Sequence, residues 1–113
     1  MILLVCGGRA FNDWLKFDTA MRRLPEAPTI IIEGGARGAD RMGRTWAELN
    51  GIHCATVEAK WGRDGRSAAG PVRNSAMLLL RPDYCLAMPG GSGTADMKRK
   101  ASAAGVPVWE PWG

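Results

Sequence analysis

Three times along this chain a short apolar run ends in a glycine-rich loop and passes directly into a helix-patterned segment. The runs are residues 2–6 before Gly7-Gly8-Arg9, residues 29–32 with Glu33 before Gly34-Gly35-Ala36-Arg37-Gly38, and residues 84–88 before Pro89-Gly90-Gly91-Ser92-Gly93-Thr94. Continuous rather than alternating apolar runs mark strands covered on both faces, the habit of parallel sheets flanked by helices. Right-handed crossovers then leave one architecture: a small Rossmann-like, doubly wound α/β sandwich of three layers, with a mostly parallel sheet of about five strands. Ligands of such sheets sit beyond the carboxyl ends of the strands, where the strand order reverses. All three glycine loops belong to that edge.

The intervening segments fill in the pattern. Asn12 or Asp13 caps a first helix whose apolar face is Trp14, Phe17, Met21 and Leu24, stopped by Pro25. A second helix presents Ala39, Met42, Trp46 and Leu49 and closes at Asn50-Gly51. Trp14 and Trp46 are expected in the core. Residues 54–57 form a third strand, and residues 58–70 read as a long polar loop. Pro71 opens a short helix over 71–80. Thr94 caps a fourth helix running to residue 104, with Met97, Ala101 and Ala104 inward, and residues 106–109 supply an edge strand.

The 113 residues make one domain, 1–113, able to bury roughly 60–70% of the surface its unfolded chain exposes. No apolar run approaches a membrane span of about 20 residues, and the apolar start is too short for a secretion signal, so a cytoplasmic protein without membrane contact is expected. The net charge of +4 comes with interleaved acids, which argues against nucleic acid as partner. Cys6, Cys54 and Cys85 are odd in number and lie in apolar runs, the pattern of buried thiols rather than disulfides. No spacing suits a metal, and His53, the one histidine, has no sequence signal for a catalytic partner. No cofactor is expected, with Mg²⁺ entering only alongside a phosphate ligand.

Glycine loops of this kind combine free backbone N–H groups with the positive end of a helix. The dipole alone gives an anion about 0.3–1 kcal/mol, and each charge-assisted hydrogen bond about 1.5–3 kcal/mol. Arginines outnumber lysines 11 to 4, and Arg9, Arg37, Arg41, Arg63, Arg66 and Arg73 all fall in or beside the loops. A guanidinium fork suits phosphate better than an ammonium does. The loop after Glu33 lacks the Gly-Lys-Ser/Thr ending of a P-loop, and Asp96 occupies the third-glycine position of a dinucleotide fingerprint. These departures argue against triphosphate hydrolysis and nicotinamide-dependent dehydrogenation.

Residues 89–94 resemble the PGGxGT signature of the SLOG superfamily, which unites Smf/DprA proteins with the LOG phosphoribohydrolases. The segment Gly70-Pro71-Val72-Arg73-Asn74 resembles the LOG stretch that carries an Arg-Lys pair. With the two earlier loops, the whole chain is most similar to the small YspA-like branch. The resemblance implies a nucleotide or nucleotide-derived ligand, including NAD- or ADP-ribose-type signals, and a homodimer. Trp109, Trp112 and the apolar face of the fourth helix are its candidate contacts. LOG enzymes extend their signature to PGGxGTxxE and use that glutamate with the arginine. Here Arg73 matches the arginine, Met97 stands at the glutamate, and Asn74 replaces the lysine.

Three readings follow. The first is a protein that binds and sequesters such a ligand through the three loops, with Glu33, Asp40, Arg73 and Asn74 beside them and Trp61, Arg63 and Arg66 as a lid. The second is a LOG-like phosphoribohydrolase or other nucleotide hydrolase, using Arg73 with Asp96, Asp40 or Glu33. The third is single-stranded DNA binding of the DprA kind. A sensor with its own output domain does not fit within 113 residues.

Overall fold

The computed structural model describes residues 1–111. In chain order the elements are β1 (Ile2–Cys6), α1 (Trp14–Arg22), β2 (Ile30–Glu33), α2 (Ala39–Leu49), β3 (His53–Thr56), α3 (Trp61–Leu78), β4 (Tyr84–Ala87), α4 (Ser92–Ala103) and β5 (Val108–Trp109). The strands form one five-stranded sheet in the order β3-β2-β1-β4-β5, and every pairing is parallel.

Alternate residues of β1 enter opposite faces of the sheet, and each face is covered. Leu3 and Val5 join Phe17 and Met21 of α1 and Ala39 and Ala47 of α2, while Leu4 and Cys6 join Met77 of α3 and Met97 and Ala101 of α4. The result is the three-layer Rossmann-like sandwich that the strand pattern requires. Among the described residues no helix is long and apolar enough to cross a membrane.

Local chemistry sets the ends of α1. The Asp13 carboxylate accepts from the Lys16 amide at 3.0 Å, which fixes the N-cap. Asp13→Ala is expected to cost about 1 kcal/mol, read as a small fall in the urea midpoint at unchanged slope.

Several sequence expectations need correction. Residues 58–70 are largely helical: α3 starts at Trp61, and a single non-helical residue, Gly65 (φ 80°, ψ 173°), divides it. Pro71 therefore lies inside this helix rather than at its start. Thr94 is buried within the first turn of α4, whose N-cap is Gly91. Trp14 is 37% exposed and stacked on Phe17 at the rim of the core, whereas Trp46 does pack against the core, half-buried with its indole N–H on Asp18. Ala104 is exposed, whereas Met97 and Ala101 are buried against the chain's own sheet. Trp109 packs partly against the core, and Trp112 lies outside the described residues.

Candidate functional site

The chain runs β1 to β2 to β3 toward one edge, then returns to lay β4 on the other side of β1. The strand order therefore reverses between β1 and β4. A cleft of about 590 Å³ opens there, lined by Gly7 and Gly8 after β1, by α3 from Arg66 to Met77, and by the first turn of α4.

The glycine loops do different work. The Gly8 amide donates to the Pro89 carbonyl at 2.8 Å, and its carbonyl accepts from Phe11 (3.2 Å) and Ala39 (3.3 Å). At Gly38, with φ of +76°, a Cβ would meet the carbonyl oxygens of Gly8 and Arg9. A Cβ on Gly90 would meet Thr94 Oγ1 and the Gly8 amide. These contacts lock the three loops to one another, and they consume the Gly8 amide and the Ala39 amide at the start of α2. No side chain caps α2 or α4, but the first amide of α2 is taken by the Gly8 carbonyl, whereas the first-turn amides of α4 have no intrahelical partner. Gly91, Gly93 and Gly70 all line the cleft, and a Cβ at any of them would meet nothing within 4 Å. Packing does not require glycine there, although glycine within a helix costs about 0.5–1 kcal/mol.

Arg73 and Asn74 on α3 face that turn. Arg73 Nη1 donates to the Gly34 carbonyl at 2.8 Å and Nε to Asn74 Oδ1 at 3.1 Å. The guanidinium is thus held in a fixed orientation with donors to spare. Asn74, 4% exposed, donates through Nδ2 to the Gly93 carbonyl and to Asp96 Oδ2. Arg99 at 2.9 Å and Lys100 at 3.1 Å complete the shell of Asp96. Burial pushes the Asp96 carboxyl up, but Asn74, Lys100 and Arg99 outweigh it and the net shift is downward. Asp96 is a locked anion, poorly suited to give or take a proton. Lys100 also donates to the Pro71 carbonyl at 2.8 Å, so it ties α4 to α3.

Asp40 behaves in the opposite way. It lines the same cleft at 6% exposure, and its Oδ2 accepts from the Ala36 amide at 3.3 Å. Burial lifts its carboxyl from 3.8 to about 6, against the lowering effects of the Ala36 amide and the Arg73 charge. The unfolded chain gives up this proton first, so the native state binds more protons between about pH 4 and pH 6. The Asp40 contribution to stability is accordingly full below pH 4 and lost as pH rises through about 6. Asp40→Asn is expected to raise stability at pH 7 by about 1–3 kcal/mol and to flatten the pH profile in that window, as urea titrations from pH 4 to 7.5 would show.

Glu33 is 1% exposed and does not line the cleft. Its Oε1 accepts from the Gly35 amide at 2.6 Å, and its Oε2 from the Thr56 hydroxyl and, at 3.6 Å, from the Cys54 thiol. It shapes the second loop from beneath. Burial, reinforced by Glu33, pushes the half-buried Cys54 thiol up to about 11. The Cys6 thiol, 3.8 Å from Cys85, is likewise raised, chiefly by that hydrogen bond and then by burial. All three cysteines are free, and Cys6 and Cys54 are held as thiols.

A second cleft of about 360 Å³ adjoins the first over the ends of β2 and β3. It is lined by Gly34, Gly35, Arg37 and Glu58, and it shares Arg9, Ala36, Trp61 and Arg73 with the main cleft. The Arg9 guanidinium lies over the Trp61 ring, 5.4 Å from its centroid, and Arg66 stands beside them at the mouth. Arg9, Arg37, Arg66 and Arg73 form no ion pair among the described residues. Arg63 is drawn away by a two-point pair with Asp64, and neither it nor the exposed Arg41 lines either cleft. Pro89, Gly90 and Gly38 lie behind the lining as scaffold.

Cys6, Ser67, Met77, Glu58 and Ala59 line the clefts without having been assigned to the site from the sequence. The one signal that pointed to them was the glycine before Pro71. No group of three or more His, Cys, Asp or Glu suited to a metal occurs among the described residues. Met97 is fully buried in the core between α4 and the sheet, so the position of the LOG glutamate does not reach the cleft here.

Two comparisons with known proteins bear on the family of the chain. A sequence profile of the YspA, cpYpsA-related SLOG family matches residues 1–63, the segment that carries the first two glycine loops. The Gene 61 protein of Mycobacterium phage D29 is 33% identical over 117 aligned positions, covering 94% of this chain and 92% of the phage protein. On the profile match, which spans more than half of the residues, this chain belongs to the YspA, cpYpsA-related SLOG family.

Proposed function

We propose that the protein binds a phosphate-bearing nucleotide, or a molecule derived from one, in the cleft between β1 and β4 and holds it intact. The observation that carries this reading is the uncapped first turn of α4 facing the fixed guanidinium of Arg73 across a cleft. Glycines fill three lining positions where packing leaves room for a side chain, and that room accommodates a ligand close to the backbone. Helix amides and a guanidinium fork together recognise phosphate. Trp61 supplies an aromatic face for a base at the mouth. Family membership points to the same ligand class.

Holding rather than turnover is favoured because Met97 replaces the LOG glutamate and Asp96 is locked by Asn74, Arg99 and Lys100. Asp40 supports a second reading, since its carboxyl keeps a proton to about pH 6 and lines the cleft. In that reading Asp40 gives its proton to the departing base as the N-glycosidic bond breaks, water adds to the ribose carbon, and the water's proton returns to the Asp40 carboxylate, releasing free base and ribose 5-phosphate.

One experiment separates the two. The purified protein is incubated with nucleoside monophosphates, NAD, ADP-ribose and cyclic ADP-ribose isomers, and the filtrate is chromatographed before and after the protein is heated. A ligand that leaves the filtrate and returns intact on heating supports the binder. Free base accumulating with time supports the hydrolase. An unchanged filtrate throughout overturns both.

A further inference from the structure

The main cleft sets an acid beside its best-ordered arginine. Arg73 Nη1 and Asp40 Oδ2 flank the point where a side chain on Gly34 would begin, 2.5 Å and 2.9 Å from it. They stop short of an ion pair, and both line the cleft. Two of the five guanidinium N–H groups go to Gly34 and Asn74, which leaves the others for a ligand. An anion seated on them meets the Asp40 carboxyl as well. Two ionised oxygens in contact repel, whereas one proton between them turns the same contact into a strong charge-assisted O–H···O bond. Burial has pushed the Asp40 carboxyl up to about 6, and a phosphate monoester gives up its second proton at about the same pH. The other groups around Asp40 do not supply that proton. Arg73 faces it from α3, with Arg9 and Arg66 elsewhere along the cleft, and a guanidinium keeps its charge throughout. The Cys6 thiol, from β1, is held protonated, chiefly by its hydrogen bond to Cys85. Glu33, from β2, is occupied by Gly35 and Thr56 and does not line the cleft, and Asp96 on α4 is held ionised by Asn74, Lys100 and Arg99.

Resting on the proposed function, we propose that Asp40 sets the charge of the bound phosphate: one phosphate oxygen lies against its carboxyl beside Arg73, and the two hold a single proton between them. Above pH 7 both free partners are ionised, so that proton is taken from the solvent as the complex forms. The complex then carries one negative charge fewer than its separated parts. Binding is therefore linked to proton uptake, and affinity falls as the pH rises above the range in which either partner still carries the proton. Asp40 is in this sense the residue that decides which ionic form of the phosphate the site accepts, while Arg73 supplies the attraction.

The test is titration calorimetry of AMP on the wild-type protein and Asp40→Asn. Proton uptake is read at pH 7.5 in two buffers of different ionisation enthalpy, and affinity at pH 6 and pH 8. The variant keeps the shape of the side chain and is expected to be the more stable protein at neutral pH, so loss of the fold does not confuse the result. The wild type is expected to take up about half a proton or more per AMP and to bind about tenfold or more weakly at pH 8 than at pH 6. The variant is expected to take up less than half of the wild-type amount and to change in affinity by less than about threefold, because an amide donates to the phosphate without an added proton. AMP binding with less uptake than this in the wild type, or with uptake or a pH dependence that the variant keeps, overturns the shared proton and leaves the nucleotide-binding reading in place. If AMP binds at neither pH, the proposed function itself falls, and this inference with it.

Discussion

Arg73→Ala is expected to weaken AMP binding by about 30-fold to 1,000-fold. Charge-assisted hydrogen bonds contribute about 1.5–3 kcal/mol each, and 1.4 kcal/mol is tenfold in affinity, so losing one or two bonds of about 2 kcal/mol each gives that range. The effect is large because the guanidinium is ordered before any ligand arrives. Its Nη1 is fixed on the Gly34 carbonyl and its Nε on Asn74, so little side-chain entropy is lost on binding. Arg73→Lys keeps the charge and loses the fork, and is expected to fall between the two. The alanine variant also leaves the Gly34 carbonyl and Asn74 Oδ1 without their donor, which costs about 1–2 kcal/mol of stability. Calorimetry at a temperature well below both melting transitions separates that loss from the loss of affinity. An unchanged dissociation constant for AMP would remove Arg73 from the site.

Gly38→Ala is expected to be the most damaging single substitution for the fold, at about 3–5 kcal/mol. The backbone at Gly38, with φ of 76° and ψ of −126°, is a sparsely populated one that costs an alanine about 1–3 kcal/mol. At Gly38 the new methyl also meets the carbonyl oxygens of Gly8 and Arg9, which are backbone and cannot rotate aside. Relieving the collision means separating the first glycine loop from the start of α2 and breaking the Ala39 to Gly8 hydrogen bond. Domains of this kind have only about 5–15 kcal/mol in total. Gly51→Ala is the matched control: φ is also positive, at +67°, but a Cβ there meets nothing within 4 Å. Urea unfolding of the two variants side by side should show a loss at Gly38 at least twice that at Gly51.

The sandwich was legible because a parallel sheet buried on both faces demands apolar strands, and residues 2–6, 29–32 and 84–88 announce themselves by composition. The loops at the carboxyl edge follow from the same alternation of strand and helix. What the sequence hid depends on long-range partners. Residues 58–70 read as a loop because Gly62, Gly65, Gly70 and a run of polar side chains lower helix propensity, yet Trp61 and Arg66 are placed at the cleft mouth by the first turns of α3. Asp96 looked like a free carboxylate. Arg99 and Lys100 reach it from one turn on in the same helix, but Asn74 is brought to it only by the packing of α3 on α4. Glu33 read as a ligand residue because a carboxylate ending a buried strand needs a partner. That partner proved to be the chain itself, at Gly35, Thr56 and Cys54. Asp40 and Asp96 are both acids near the start of a helix, and no local rule separates them. Burial in one case and paired cations in the other set them on opposite sides of the ordinary carboxylate range.

The central claim, that a phosphate-bearing ligand sits between the first turn of α4 and Arg73, is tested most directly by titrating uniformly ¹⁵N-labelled protein with AMP and following its amide resonances. The predicted result is saturable movement of Gly91, Ser92, Gly93 and Thr94, together with Gly8 and Asn74, while α1 and β5 stay still. Movement confined to α1 and β5, or no movement at millimolar AMP, would contradict it.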